Sequence, residues 1–149
     1  MDYAVRAATQ ADYDFLYQLN ESTMRAYVIS TCGGWDDAFQ ARYFRDHFDP
    51  PKIRTIVIAG RDVGMVETEA GDGDVVLANI RIAPEYQRRG LGKAMIKEIV
   101  ADAHRAGLSV RLRVLKVNSA RGLYERLSFS VSDEAPTAYV MRALPSPIC

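Results

Sequence analysis

The chain has 149 residues, 48% hydrophobic and 26% charged, which suits one domain with a buried core and leaves too little for two comfortable ones. Lysine plus arginine equals aspartate plus glutamate at 19 each, so no global field argues for nucleic acid or an anionic membrane surface, and any electropositive site is local. No apolar run approaches the ~20 residues of a membrane span, the opening MDYAVRAATQADYDF does not read as a signal peptide, and Cys32, Cys149 and two histidines lack metal-ligand spacing; the expectation is no metal and a cytoplasmic setting.

The chain reads as a single domain over 1–149, without repeat or linker. DYAVRAA (2–8) has the pattern of an edge strand. Thr9 begins TQAD, a capping-box-like start, and Phe15, Leu16, Leu19, Thr23, Ala26 and Tyr27 follow at helical spacing. Gly33-Gly34 breaks that helix. Asp36 is placed to cap a second one carrying Phe39, Tyr43, Phe44 and His47, which DPP at 49–51 closes. The period then changes. KIRTIVIAG (52–60), DVGMVETEA (62–70) and DVVLANIRIAP (74–84) are β-rich runs joined at GRD and GDGD, an antiparallel meander. A long amphipathic helix comes next, with Leu91, Ala94, Met95, Ile96, Ile99, Val100 and Ala103 on its apolar face and Gly107 as its C-cap. LSVRLRVLK (108–116) is a strand, NSARGLYERLSF a short helix with Ala120, Leu123, Tyr124 and Leu127 on one stripe, and APTAYVMRAL a last strand. The fold class is mixed α/β with an antiparallel front half.

The long helix opens at PEYQRRGLGK. A helix N-terminus leaves about four N–H groups without partners and carries roughly half a positive charge. Glycine at 90 and 92 lets a ligand approach bare backbone, and Arg88, Arg89 and Lys93 add cations at the same point, a pyrophosphate cradle. Spacing alone is equally served by glycines that relieve a tight strand-to-helix turn. The stretch is not a P-loop, since no Gly-Lys-Ser/Thr follows, nor a dinucleotide fingerprint, since Met95 stands where a third glycine belongs.

Gln87-Arg88-Arg89-Gly90-Leu91-Gly92 resembles the Q/R-x-x-G-x-G/A signature of GCN5-related N-acetyltransferases (GNAT), in which this loop binds the pyrophosphate of acetyl-coenzyme A. LANIRIAPEYQ is similar to that family's central strand, and VNSARGLYERLSF to its N-x-A-x-x-L-Y-E-x-L-G-F element, so the resemblance covers nearly the whole chain. It implies a mostly antiparallel central sheet flanked by helices and splayed at the central strand. The backbone of Ile80, Arg81 and Ile82 would pair with the pantetheine arm, much as an added strand does, and the N–H groups from Arg88 to Lys93 would hold the pyrophosphate. Asn118 would cap the short helix, meet the arm, or do both.

The implied reaction is direct attack of an amine on a thioester, expelling a thiolate. A tyrosine, pKa near ~10, can protonate the leaving sulfur without being ionised at rest, and Tyr124 matches the family's tyrosine in that role; a core tyrosine would explain the position as well. The amine must first be neutral, which for a lysine-like group costs roughly 4.6 kcal/mol at pH 7. Some relatives that modify protein N-termini carry a glutamate five residues before the asparagine, where this chain has Arg113, a departure that counts against carrying over that base and weakly against that substrate class. Alternation on the preceding strand puts Val63, Met65, Glu67 and Glu69 on one side, making Glu67, the deeper of the two acids, the candidate base, with Asn79 positioning an amine or a water. Ser128 replaces the family's frequent glycine, and a small local adjustment is expected.

The acceptor site would come from the first two helices and their loop, where Arg25, Tyr27 and Trp35 are the candidates; Trp35 and Phe39 would otherwise pack the loop against the sheet. The resulting expectation is an acetyl-coenzyme A-dependent enzyme acting on a small-molecule amine. Its alternatives are a peptide or protein amine as acceptor, and a non-catalytic acyl-coenzyme A-binding domain. Homodimers are common among such families, and no residue here fixes a partner surface.

Overall fold

The computed structural model describes residues 2–145, so Cys149 lies outside the described residues. β1 (Ala4–Ala7) leads into α1 (Tyr13–Cys32) and α2 (Asp37–His47). β2 (Ile53–Ile58), β3 (Arg61–Ala70) and β4 (Asp74–Ile82) follow, then α3 (Leu91–Arg105), β5 (Ser109–Leu115), α4 (Arg121–Arg126), β6 (Ser130–Glu134) and β7 (Ala138–Ala143). The seven strands form one open sheet in the order β1-β2-β3-β4-β5-β7-β6, a mixed α/β fold as the sequence predicts. The β1–β2, β2–β3, β5–β7 and β6–β7 ladders are antiparallel. β4 and β5 are parallel neighbours over a short ladder, from Asp74↔Ser109 to Val76↔Arg111.

The chain divides into two compact units, one running to Glu67 and taking in Asn79–Arg89, the other made of Thr68–Ala78 and the chain from Gly90 onward. In the first, local chemistry closes the helix entrances. The Thr9 N–H donates to the Asp12 carboxylate at 2.8 Å, which opens a 3-10 turn ahead of α1, and Asp36 Oδ1 accepts the Phe39 N–H at 3.0 Å at the start of α2. Leu16 and Leu19 are the buried part of the predicted α1 stripe; Phe15, Thr23 and Tyr27 are half-buried, and Ala26 is exposed. The leucines pack with Ala8, Ile53, Met65 and Ala83, and Phe15, Phe44, Phe48 and Tyr86 lie against that cluster. The turn between β2 and β3 sits at Ala59-Gly60, both with positive φ (50° and 77°), beginning one residue before the predicted GRD and sharing Gly60 with it. Two successive left-handed residues make the tight hairpin turn whose twist matches its strands.

In the second unit α3 buries Leu91, Met95, Ile96, Ile99 and Ala103, while Ala94, assigned to the apolar face from sequence, is exposed because it lies at the margin of the stripe. The helix ends at Ala106. Gly107 follows it in the left-handed region (φ 75°), its N–H on His104 O and the Leu108 N–H on Ala103 O, so the predicted cap is displaced by one residue. α4 ends in the same way with Ser128 in glycine's usual place (φ 72°): the backbone keeps the left-handed turn and the serine bears the strain, without the adjustment expected. β6 is absent from the sequence reading. Its five residues are all exposed and show no apolar alternation, so only pairing with β7 reveals it. At the start of β4 the buried Asp74 Oδ2 accepts from Arg111 Nε (2.9 Å) and Arg142 Nη1 (3.1 Å), and the Arg111 hydrogen bond holds its carboxyl below the usual range.

Candidate active site

Three of the predicted site residues in the first unit are brought into direct contact. Glu67, half-buried on β3, accepts at Oε1 from Asn79 Nδ2 on β4 at 2.7 Å, and Asn79 Oδ1 accepts from Arg81 Nη2 at 2.7 Å. β-strand alternation explains why Asn79 and Arg81 meet on one face, leaving Ile80 and Ile82 for the other. Arg81 also donates through Nη1 to Ile80 O (3.0 Å) and through Nε to Asn20 Oδ1 on α1 (3.3 Å). The carbonyls proposed for the cofactor arm are thus already in use: Ile80 O by Arg81, and Ile82 O by the folded-back side chain of Gln87 at 2.9 Å. Each carbonyl keeps a second lone pair. Gln87 therefore anchors the end of β4 with its side chain.

Arg25, Trp35 and Glu21 form a second group. The Arg25 guanidinium lies 5.9 Å from the Trp35 ring centroid and donates to Glu21 Oε2 at 2.8 Å. Trp35 is half-buried, with its Nε1 enclosed and without a hydrogen-bond partner. A groove of about 550 Å³, open to solvent, runs along one stripe of α1 between Gln18, Glu21, Ser22, Arg25, Ala26 and Ile29. Tyr27 is half-buried and joins neither group. Phe39 does not pack against the sheet: it is 49% exposed and stacks on Tyr43, because the α2 face it shares with Tyr43 and His47 points to solvent.

Gly90 is the N-cap of α3 with φ 82°, and among the described residues no side-chain cap hydrogen bond is made there. A Cβ built on Gly90 meets nothing within 4 Å. Arg88 takes a left-handed backbone (φ 63°), a conformation that strains a residue with a side chain. Arg89 lies over the Tyr86 ring at 5.2 Å, and Arg88, Arg89 and Lys93 are exposed. α1 and α2 each carry an aspartate in the first turn, Asp14 and Asp37; α3 and the six-residue α4 have no acid there. Cations beside a helix N-terminus oppose its dipole by ~0.3–1 kcal/mol each, a cost that an external anion relieves. Leu91, 2% exposed, anchors the turn in the core, while Gly92 is half-buried in the first turn of α3.

Tyr124 is 8% exposed on α4 with its ring 5.8 Å from that of Phe129. Asn118 Oδ1 accepts the Ala120 N–H at 2.9 Å, an Asx turn that orients the chain into α4, so its capping role is met just ahead of the helix. Arg113, where some relatives carry glutamate, is exposed on β5.

Two residues escaped the sequence reading. Asn20 lies on the apolar stripe of α1 beside Leu16, Leu19 and Thr23, and an amide on a core-facing stripe that needs a partner was the available signal. Gly64 on β3 is the other. A Cβ there would meet Arg81 O at 2.7 Å, so β4 passes closer than any side chain permits.

An acetyltransferase (GNAT) domain model matches residues 52–131, more than half of the 149-residue chain. The chain belongs to the GNAT family. Among curated relatives, this GNAT chain is 27% identical over 73 residues to the [ribosomal protein bS18]-alanine N-acetyltransferase of Escherichia coli, covering 48% of this chain and 49% of that protein. The match thus spans about half the length of the curated relatives. Among solved structures, PaiA N-acetyltransferase from Thermoplasma acidophilum, in complex with coenzyme A, superposes with TM-score 0.74 at 17% identity, over 97% of this chain and 99% of that one. The E. coli ribosomal-protein-S18-alanine N-acetyltransferase gives 0.71 at 19% identity, over 99% and 97%. At such identities the likeness carries the GNAT fold.

Proposed function

We propose that this GNAT chain is an acetyl-coenzyme A-dependent N-acetyltransferase that transfers the acetyl group to a primary amine by direct attack on the thioester. One observation carries the reading: among the described residues the first turn of α3 has no side-chain cap and no acid, and the exposed Arg88, Arg89 and Lys93 flank it in sequence. The residues present suit a diphosphate, with bare N–H groups after Gly90 and Arg88, Arg89 and Lys93 beside them. When bound, the cofactor supplies an activated acetyl group on sulfur. The backbone of Ile80 to Ile82 would add its remaining hydrogen-bonding groups to the pantetheine amides. The Glu67 carboxylate takes a proton from the amine, directly or through a water, and Tyr124 gives the departing sulfur its proton.

The sequence favours a small-molecule acceptor, and Arg113 in place of a glutamate is in line with that. The likeness to a ribosomal-protein alanine N-acetyltransferase supports the second reading, a peptide amine. A panel that includes spermidine, aminoglycosides and an alanine-initiated peptide, run with acetyl-coenzyme A and a free-thiol readout, separates the two. Tyr124→Phe lowers kcat on the best amine by about 10- to 100-fold with the KM for acetyl-coenzyme A little changed. Unchanged turnover removes Tyr124 from the acid role; coenzyme A binding without thiol release on any amine supports a non-catalytic binding domain.

A further inference from the structure

Four polar side chains of the first unit form one continuous series of hydrogen bonds from α1 to β3: Asn20, Arg81, Asn79, Glu67. The chemistry at its ends fixes every link. A guanidinium can only donate and an ionised carboxylate can only accept, so the amide atom of Asn79 facing Arg81 is its oxygen and the one facing Glu67 its nitrogen. Both neighbours demand the same amide orientation, and a flipped Asn79 would set like against like on both sides. The guanidinium is itself held at three points: Nε on Asn20 Oδ1, Nη1 on Ile80 O and Nη2 on Asn79 Oδ1. Gly64 contributes by lacking a side chain, since a Cβ there would meet Arg81 O at 2.7 Å and push β4 away.

The geometry points to Arg81 as a positioning residue that acts through Asn79 to aim the Glu67 carboxylate, with Asn20 tying the assembly to α1. This rests on the reading of Glu67 as the base. Arg81 fixes the amide, the amide holds Oε1, and Oε2 is thereby directed to take the proton of the amine or its water. The amide carries no charge and passes on orientation only.

Two readouts test this. In the first, the Asn79 side-chain amide resonances are followed by NMR in the intact protein. Arg81→Met collapses the large chemical-shift difference between the two amide protons that the Glu67 bond creates. Arg81→Lys, which keeps the charge and loses the fork, does the same. Unchanged Asn79 resonances in a folded Arg81→Met protein overturn the proposal. In the second, kcat is measured with acetyl-coenzyme A and whichever of spermidine or the alanine-initiated peptide is acetylated. Arg81→Met lowers kcat about 10-fold, with the KM for acetyl-coenzyme A within about twofold. In a Glu67→Gln background the same substitution has no further effect, while losses that multiply overturn action through Glu67. Full activity of Glu67→Gln alone removes the base assignment and with it the catalytic part of the proposal, and the amide resonances then decide separately whether Arg81 orients Asn79.

Discussion

The entrances of α2 and α3 differ in one respect that separates structure from function. At α2 the protein supplies its own anion: Asp36 accepts the Phe39 N–H, and Asp37 follows in the first turn. At α3 the cap is a glycine, the first turn has no acid, and the exposed Arg88, Arg89 and Lys93 flank the cap in sequence. The first arrangement stabilises an isolated chain. The second leaves an unfavourable field in the free protein, which an anionic ligand relieves. A helix end that the protein declines to close is more informative about ligands than the fold around it.

That contrast can be broken most directly at Gly90. Gly90→Glu places a carboxylate where the diphosphate would rest and forces a side chain into a left-handed position; coenzyme A affinity by calorimetry falls at least 100-fold, and thiol release falls with it. Retained binding would move the cofactor elsewhere. The next largest effect is an acid titration of a closed entrance, the 3-10 turn before α1. Asp12 there accepts from Thr9 and from Arg6 (3.0 and 2.8 Å), and chiefly the Arg6 hydrogen bond lowers its pKa from 3.8 to about 2. A carboxyl depressed in the folded state gives stability that is complete above its unfolded pKa and is lost as the pH falls through the folded value. Denaturant melts between pH 4.5 and 2 should show a loss on the order of 1 kcal/mol, after allowing for the exposed Arg6, that Asp12→Asn removes. Asp36→Ala opens the α2 entrance at a cost of ~1 kcal/mol, a Tm decrease of roughly 3 °C, with coenzyme A affinity unchanged. The smallest effect is at a helix exit: Ser128→Gly relieves a left-handed serine and raises stability by about 0.5–1 kcal/mol in the same melts.

Sequence legibility followed the same division between local and non-local causes. Capping at Thr9 and Asp36, the break at Gly33 and the α3 face are properties of a few neighbouring residues, and the chain displays them openly. Glu67, Asn79 and Arg81 could each be singled out, but their linkage depends on the register of β3 against β4, which no short stretch encodes. Gly64 had no signal at all, since its reason is an oxygen belonging to Arg81, seventeen positions away. β6 carried no period because neither of its faces is buried. Phe39 looks like a core residue from its type alone, yet it stacks on Tyr43, whose ring in turn stacks on His47.

The exposed outer strand has a consequence for how copies of this protein can meet. β6 ends one side of the sheet, its ladder with β7 slips between Val131 and Asp133, and Asp133 and Glu134 put adjacent negative charges on a five-residue strand. Glu134 is paired with Lys116, and a short, kinked, charged margin of this kind makes a poor template for another backbone. Self-association by edge-to-edge pairing is discouraged along that border, and crowding in a cell should not turn it into the starting point of a fibril.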